Sequence, residues 1–277
     1  YCPRRRGDGL MIRTSTLRRI WAMILRHVYV LRHSWPRLLE LAYWPTMQLV
    51  LWGFVTKFFM SHSSWVADAA GVLISAVLLW DILFRSNLGV ALSFIEEMWS
   101  RNLGQLFVSP LRPMELIGSL TFMSFLRTLI AATPAAFLAL PLFDVWVFSL
   151  GLPLAAFFFN LLVMGWCVGL AVSALVLRFG LAAESLCWLG IFLVAPISCI
   201  YYPLATLPTW LQMIANALPA APVFEGMRAV LFGGVFRWDL FWQATGLNAL
   251  YLILVSALFL KTFQIARERG LLLQQGE

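Results

Sequence analysis

Long runs of apolar residues alternate with short polar segments along most of the chain. A helix of about 20 apolar residues is long enough to cross the hydrocarbon core of a bilayer. Six runs approach or exceed this length, so the pattern predicts an all-α, polytopic membrane protein whose transmembrane domain covers residues 38–263. The six predicted spans are residues 38–60, 69–94, 116–140, 145–177, 184–202 and 241–263.

The region before the first span has a different pattern. Between residues 13 and 33, apolar residues recur at three- and four-residue steps, and arginines fill the other face. This is typical of a basic amphipathic helix that lies in the headgroup region of a membrane. We therefore expect residues 11–37 to form a cytoplasmic interfacial helix, the alternative being a cytosolic helix packed against a partner. We expect residues 1–10 to be a non-native or upstream tail, and residues 264–277 to be a cytoplasmic tail.

The segment before the last span is apolar but contains several prolines. Pro203, Pro208, Pro219 and Pro222 each remove a backbone donor, so residues 203–234 cannot form one continuous helix. Broken helices at membrane depth are tolerated only where protein or a water-filled cavity satisfies their backbone groups. We predict two short re-entrant helices on the outer face that gate a pathway. The predicted gate residues are Tyr201, Tyr202, Pro203, Pro208, Trp210, Leu211, Pro219, Glu225 and Arg228.

Composition supports the membrane assignment, and charge predicts the orientation. Of the 277 residues, 61% are hydrophobic and 12% are charged, whereas about 25% of the residues in a soluble domain are charged. Fifteen of the 20 lysines and arginines fall on the side of the predicted N-terminal helix, and only Lys57, Arg228 and Arg237 fall on the other. Because positive residues accumulate in cytoplasmic loops, both termini are predicted to be cytoplasmic. We expect the basic residues to contact membrane lipids and not nucleic acid.

Three charged residues, Asp81, Arg85 and Arg127, lie well away from the ends of the predicted spans, where such residues are costly and by default functional. Asp81 and Arg85 are four residues apart and can pair on one helical face. They are expected either to line a cavity or to form a structural ion pair. Arg127 is expected either to snorkel to the headgroups or to contact phosphate on a lipid-like substrate.

The fourth predicted span carries small residues at four-residue spacing, namely Gly165, Gly169 and Ser173. Small residues at this interval let two helices approach closely. We expect them to pack against another helix of the same chain, and a homodimer seam is the alternative.

Two groups of short motifs resemble those of a known family. The first group lies in the proline-containing segment and comprises Tyr202-Pro203, Leu207-Pro208-Thr209-Trp210-Leu211-Gln212, Leu218-Pro219, Glu225 and Arg228. The second group lies between the second and third spans and comprises Glu96-Glu97, Gly104-Gln105-Leu106 and Ser109-Pro110-Leu111-Arg112. Together with six spans and an amphipathic N-terminal helix, these motifs resemble the permeases of type-2 ABC exporters, which include polysaccharide, lipo-oligosaccharide and drug exporters.

The resemblance implies a half-transporter. Two copies of the chain would form the translocation path as a homodimer, and two separate ABC ATPase subunits would dock beneath them in the cytoplasm. The docking element would be the cytoplasmic coupling segment, residues 94–115, in which we expect a helix that exposes Glu96, Glu97 and Arg101. The coupling residues implied by the resemblance are Glu96, Glu97, Arg101, Ser109, Pro110 and Arg112.

The chain has no sequence pattern for an ATPase site of its own. A phosphate-binding loop needs a lysine within Gly-x-x-x-x-Gly-Lys-Ser/Thr. The two lysines of the chain, Lys57 and Lys261, stand in no such pattern. We therefore expect a permease subunit that is not an enzyme and binds neither a cofactor nor a metal, with ATP and Mg²⁺ held by the partner subunit.

The expected function is outward movement of an amphipathic substrate across a bacterial inner membrane. The substrate would be a lipid-linked saccharide, a glycolipid or a hydrophobic small molecule, and drug efflux is the alternative. A non-ABC membrane protein, such as an intramembrane enzyme, is the remaining alternative. It is disfavoured because His27, His33 and His62 fall outside the predicted spans, and because no Gly-x-Ser-x-Gly nucleophile motif is present.

Overall fold

The structure is a computed structural model that describes residues 8–60, 64–100, 111–143 and 151–268. Within these ranges the chain forms nine α-helices and no β-strand, which confirms the all-α prediction. The helices are α1 (Asp8–His33), α2 (Trp35–Met60), α3 (Ser64–Trp99), α4 (Pro113–Phe143), α5 (Leu152–Phe179), α6 (Leu186–Val194), α7 (Thr209–Ala217), α8 (Ala220–Gly233) and α9 (Trp238–Glu268). Short 3₁₀ helices at Leu181–Ala183, Ala195–Ile197 and Leu204–Thr206 lie in the connections around α6 and before α7.

The helix α3 lies at the centre of the bundle, where it packs against α2, α4 and α5. Its closest approach to α5 is at two glycines, because Gly165 lies against Ser86 and Gly169 lies against the backbone of Asn87. A Cβ atom at Gly165 would stand only 2.6 Å from the Cβ atom of Ser86. The small residues of α5 therefore pack within the chain, which confirms the first of the two predicted arrangements.

The bundle has two ends with different structures. At one end, Arg26 of α1 bonds to Glu97 near the end of α3, and we call this the α1 end. At the opposite end, α8 covers the start of α5, with Gly226 against the ring of Phe157. The N-terminal helix and the proline-containing segment therefore lie at opposite ends of the bundle.

Within the described part of the chain, four helices are long and apolar enough to cross a membrane, which supports the assignment as a membrane protein. They are Val72–Trp99, Pro113–Phe143, Leu152–Phe179 and Trp238–Glu268, and they coincide with the second, third, fourth and sixth predicted spans. The first predicted span is also a continuous helix, α2, but it is not among these four, and polar residues such as Glu40 and Gln48 interrupt its apolar sequence.

The fifth predicted span is not one helix, so that prediction is wrong as drawn. The α-helix ends at Val194, and a 3₁₀ turn follows, because Pro196 has no backbone donor to continue the ladder. The whole apolar helix, Leu186–Ile197, is about 18 Å long at 1.5 Å per residue. That length is well below the roughly 30 Å of a bilayer core.

The N-terminal helix α1 packs one side against the bundle and exposes the other. Ile24 and Leu31 of its predicted apolar face are buried, whereas Leu17 and Trp21 of the same face are more than half exposed. An exposed apolar and aromatic side beside arginines suits a membrane surface, and the interfacial location stays a prediction.

Candidate functional site

A cavity of about 620 Å³ lies between α2, α3, α4 and α6. Aromatic side chains such as Trp44, Trp80, Phe84 and Trp188 form much of its wall. Charged residues from four different elements also line it. They are Arg37, Glu40, Asp81, Arg85, Glu96, Arg127 and Glu184. We call this space the central cavity.

Asp81 and Arg85 lie one turn apart on the face of α3 that borders the central cavity. Arg85 Nε stands 3.4 Å from Asp81 Oδ1, and the two residues are only 9% and 7% exposed. The guanidinium also lies 5.8 Å from the ring centre of Phe84, within the range of a cation–π contact. The two predicted alternatives, an ion pair and a cavity lining, therefore both hold for these residues.

Arg127 has a partner that the sequence did not suggest. Its Nη2 donates to Oε2 of Glu96 at 3.0 Å, and the residue is 7% exposed. The other carboxylate oxygen of Glu96 accepts from Arg37 of α2 at 3.2 Å. Glu96 thus joins α2, α3 and α4 at one point on the wall of the central cavity. A guanidinium so buried and paired is not snorkelling, so that expectation is wrong.

Glu97 points away from the central cavity and binds α1. Its carboxylate accepts from Arg26 Nη2 at 2.9 Å and lies 3.3 Å from His27 Nε2. Only 4% of Glu97 is exposed. The expectation that Glu96 and Glu97 are exposed for docking is therefore wrong, because arginines of other helices hold both carboxylates.

A second bond ties α1 to the start of α4. Arg19 donates to both carboxylate oxygens of Glu115, at 2.9 and 2.7 Å, in a bidentate pair. Oε2 of Glu115 also accepts the backbone N–H of Arg112 at 3.0 Å. Since Pro113 opens α4, Arg112 is its N-cap and Glu115 its third residue, which is the acidic half of a capping box.

Of the other predicted coupling residues, the structure describes only Arg112, which is exposed just before α4. Arg101, Ser109 and Pro110 lie outside the described residues. Sequence reasoning missed Glu115, although the spacing from Arg112 through Pro113 to Glu115 is a local capping signal that could have found it.

A second cavity, of about 390 Å³, lies between α2, α3, α4 and α5. Its walls are nearly all apolar, with rings from Phe125, Phe158 and Phe159 and few polar groups such as Thr133. Asp81 lines this space as well as the central cavity. A charged space and an apolar space therefore meet at one buried carboxylate.

At the opposite end of the bundle, Glu225 and Arg228 of α8 hold the turn that follows α6. Oε1 of Glu225 accepts from the backbone N–H of Leu204 at 2.6 Å and from Arg228 at 2.9 Å. Arg228 donates to the carbonyls of Cys199 at 2.8 Å and Ile200 at 3.3 Å. These two predicted gate residues therefore lie together, and their side chains hold the turn formed by residues 199–204. We call Glu225, Arg228 and their contacts with this turn the turn clamp.

The proline-containing segment forms two short helices, α7 and α8, and this confirms the predicted break. Pro208 is the N-cap of α7, and Pro219 lies between the two helices. Their re-entrant position in a bilayer stays a prediction.

Among the aromatic residues of the predicted gate, the two tyrosines contact other parts of the chain, whereas Trp210 is exposed. Tyr201 stacks on Trp52 of α2 with ring centres 5.2 Å apart, and the Tyr202 hydroxyl donates to the carbonyl of Pro196. Trp210 is 60% exposed, whereas Leu211 beside it is half-buried. Pro203 precedes the short helix Leu204–Thr206. The tyrosines therefore brace the turn, and Trp210 is left free to contact lipid or another chain.

Labelling of Cys199 is expected to report opening of the turn clamp. Cys199 has φ 54° and a fully buried thiol. In a variant that keeps Cys199 as its single cysteine, maleimide labelling should be slow, because a buried thiol is not accessible to the reagent. Arg228→Ala should speed labelling by roughly ten-fold or more, because the turn would open more often.

The expected change follows from the contacts of Arg228, which donates to the carbonyls of Cys199 and Ile200 and so holds the turn over the thiol. Arg237→Ala removes an exposed arginine from the same end and should change nothing. Slower or unchanged labelling of the Arg228 variant would contradict the clamp.

Comparison of the chain with models of known protein families gave no match, and comparison with curated proteins gave none either. The functional argument therefore rests on the two cavities, their charges and the resemblance of the motifs.

Proposed function

We propose that the chain is the membrane-spanning permease subunit of an ATP-driven exporter of the type-2 ABC class. The observation that carries the proposal is the central cavity, which places Asp81, Arg85 and Arg127 inside a bundle of membrane-length helices. Ionisable groups at such a position face a substrate or ion pathway by default. The motif resemblance supplies the exporter class.

The substrate we propose is amphipathic. Aromatic rings and ion pairs share the wall of the central cavity, and the second cavity beside it is apolar. A polar headgroup would suit the first space, and a hydrocarbon portion would suit the second. A lipid-linked saccharide or a glycolipid has both parts. A hydrophobic small molecule, as in drug efflux, is the second candidate because the 390 Å³ cavity alone could hold it.

The proposed topology has six membrane segments with both termini in the cytoplasm of a bacterium. In addition to the four long apolar helices, α2 would cross the inner membrane, and α6 with its following turn would enter and end inside it. The charge asymmetry of the chain supports this orientation. Two such chains would form the transport path as a homodimer, supported by exposed apolar residues on α7 such as Trp210 and Met213.

Energy would come from two cytoplasmic ABC ATPase subunits docked at the α1 end. There the pairs Arg26–Glu97 and Arg19–Glu115 join α1 to α3 and α4. A push on any of these helices would therefore move the others as one body. The chain would relay this motion to the cavity through Glu96, which lines the cavity and contacts Arg37 of α2 and Arg127 of α4.

The proposal is tested by isolating the full chain from membranes of cells that also express its own neighbouring genes. An affinity-tagged chain, cross-linked before mild detergent extraction, is expected to bring down an ABC ATPase subunit in about equal amount. ATP hydrolysis by the complex should respond to amphipathic substrates in reconstituted vesicles. A chain that is recovered folded and dimeric but free of any ATPase, after cross-linking, would contradict the proposal.

A further inference from the structure

We propose that His27 of α1 and Glu97 of α3 form a proton-binding site that fastens α1 to the helix bundle. Nε2 of His27 lies 3.3 Å from Oε1 of Glu97, and the two side chains are each 5% exposed. A histidine changes its charge between about pH 5 and 8, so a buried histidine beside a carboxylate can act as a pH switch. The inference goes beyond the proposed function, because it concerns a contact within the chain and requires no transported substrate.

The other ring nitrogen of His27 determines which form of the ring fits this place. Nδ1 lies 2.9 Å from the carbonyl oxygen of Met23, one turn earlier in α1. A carbonyl oxygen can only accept a hydrogen bond, so Nδ1 carries the hydrogen of this contact. In a neutral ring, Nε2 then has a lone pair and no hydrogen. The neutral ring therefore presents an acceptor atom on its side toward Glu97.

A proton on Nε2 would turn this contact into an attraction. Nε2 is buried and has no hydrogen-bond partner among the described residues, so the neutral ring leaves an unpaired acceptor beside a carboxylate. The protonated ring instead places a positive charge 3.3 Å from Oε1 of Glu97. An opposite charge within about 4–6 Å favours the charged form of a titratable group. The geometry therefore favours binding of a proton by His27.

The buried charges of this contact balance when His27 is protonated. Arg26 donates to the other oxygen of Glu97, but its side chain is 37% exposed, so solvent screens much of its charge. Of the two basic side chains that contact Glu97 in the described part of the chain, only His27 is buried as deeply as the carboxylate. Burial alone disfavours a charged ring, and it disfavours an unpaired carboxylate as well. A protonated ring and a carboxylate together form a neutral pair, which offsets both costs.

The other charged side chains near this junction bond to one another. They come from α1, α2, α3 and α4 and form the pairs Arg19–Glu115, Arg37–Glu96 and Arg127–Glu96. Among the described residues, the charged groups beside His27 are Glu97 and, through its bond to the same carboxylate, Arg26. The charge of His27 therefore depends on Glu97 more than on the other charged groups of the junction.

Such a site makes the attachment of α1 dependent on pH. The folded junction binds the proton at His27 more tightly than the unfolded chain does, because unfolding removes Glu97 from the ring. The resulting stability is fully present below the pH at which a histidine in the unfolded chain titrates, and it is lost as the pH rises through the range in which the folded pair releases its proton. We therefore expect α1 to be held more firmly at about pH 6 than at about pH 8.

Nuclear magnetic resonance of the full-length chain in detergent tests the site directly. In protein labelled with nitrogen-15 histidine, the shifts of the ring nitrogens report the charge of the ring. The chain has three histidines, so His33→Gln with His62→Gln leaves His27 alone, and His27→Gln with His62→Gln leaves His33 alone. His33 is a matched control, because its Nδ1 lies 2.9 Å from the carbonyl of Tyr29 in the same way but its ring is exposed.

His27 is expected to hold its proton at least about ten-fold more tightly than His33, because of the carboxylate beside it. Glu97→Gln in the protein that retains only His27 should abolish this difference, since glutamine has nearly the same shape and no charge. Its amide oxygen can still accept from Arg26, so the variant is expected to fold. Equal proton affinities of His27 and His33 would overturn the inference. So would a proton affinity of His27 that Glu97→Gln leaves unchanged.

Hydrogen exchange tests whether the proton fastens α1. After correction for the intrinsic effect of pH, α1 peptides of the wild type should exchange more slowly at about pH 6 than at about pH 8, by up to roughly ten-fold. His27→Gln cannot change its charge and should show no such difference. The same pH dependence in both proteins would overturn the proposal. Neither measurement involves an ATPase, so the proton site and the proposed exporter can fail independently.

Discussion

Replacing Glu97 with alanine is expected to lower the free energy of unfolding by about 1.5–3 kcal/mol, the range for a hydrogen bond to a charged group. The carboxylate is 4% exposed, accepts from Arg26 of α1 and lies against His27 of the same helix. Its loss would leave Arg26 without a counter-charge at the junction of α1 and α3. Thermal or denaturant unfolding of the purified chain in detergent measures the effect, and α1 should become more sensitive to proteolysis.

The matched control is Asp239→Asn, which removes one partner of a solvent-exposed ion pair with Arg237 at the start of α9. Exposed pairs contribute little to stability, so no measurable change is expected. Equal stability of the Glu97 variant and the wild type would show that Glu97 does not hold α1 in place. It would restore the interpretation of this residue as a docking contact.

This junction also changes how a transport defect should be interpreted. Alanine at both Glu96 and Glu97 removes the counter-charges of three arginines, one each from α1, α2 and α4. Loss of transport in that double variant would therefore reflect a rearranged bundle as readily as a lost ATPase contact. Exposed Arg112 is the better position for probing the docking surface, since its side chain is outside the buried pairs.

The helices and their breaks were predictable because their causes are local. Runs of apolar residues predicted the long helices, and Pro208 and Pro219 predicted the boundaries of α7 and α8. Pro196 is an equally local signal for the end of α6, although the apolar run around it predicts one longer span. At this position the missing backbone donor outweighs the length of the apolar run.

The ion pairs were not predictable in the same way. Glu97 and Arg26 are separated by 71 residues, and Arg19 and Glu115 by 96. Adjacent acidic residues at the end of an apolar run look like a solvated boundary, because nothing within one or two turns indicates a partner. Asp81 and Arg85 could be paired from sequence because their four-residue spacing places them on one helical face.

The close contact of α3 with α5 is the other place where a single change should have a large effect. Gly165→Ala is expected to destabilise the protein by about 2–3 kcal/mol, the range for forced overpacking of a core. The added Cβ would stand 2.6 Å from the Cβ atom of Ser86 and 2.7 Å from the carbonyl oxygen of Leu83. A backbone atom cannot rotate away, so the two helices would have to separate.

Separation of these helices would also disturb the central cavity, since α3 carries Asp81 and Arg85 on its wall. The Ser86 hydroxyl, which donates to the carbonyl of Leu162 at 2.6 Å, would lose its place between the helices. We therefore expect Gly165→Ala to lower the melting temperature of the purified protein.

Gly246→Ala provides the control, because it makes the same chemical change in the interior of α9. A Cβ at Gly246 would meet no atom of the described residues within 4 Å. In that position alanine should leave stability unchanged or raise it by roughly 0.5–1 kcal/mol, since glycine is the poorer helix former. If both variants melted alike, the contact between α3 and α5 would have to be looser than 2.6 Å implies. Destabilisation confined to Gly165 would instead establish that α5 holds the cavity-bearing face of α3 in position.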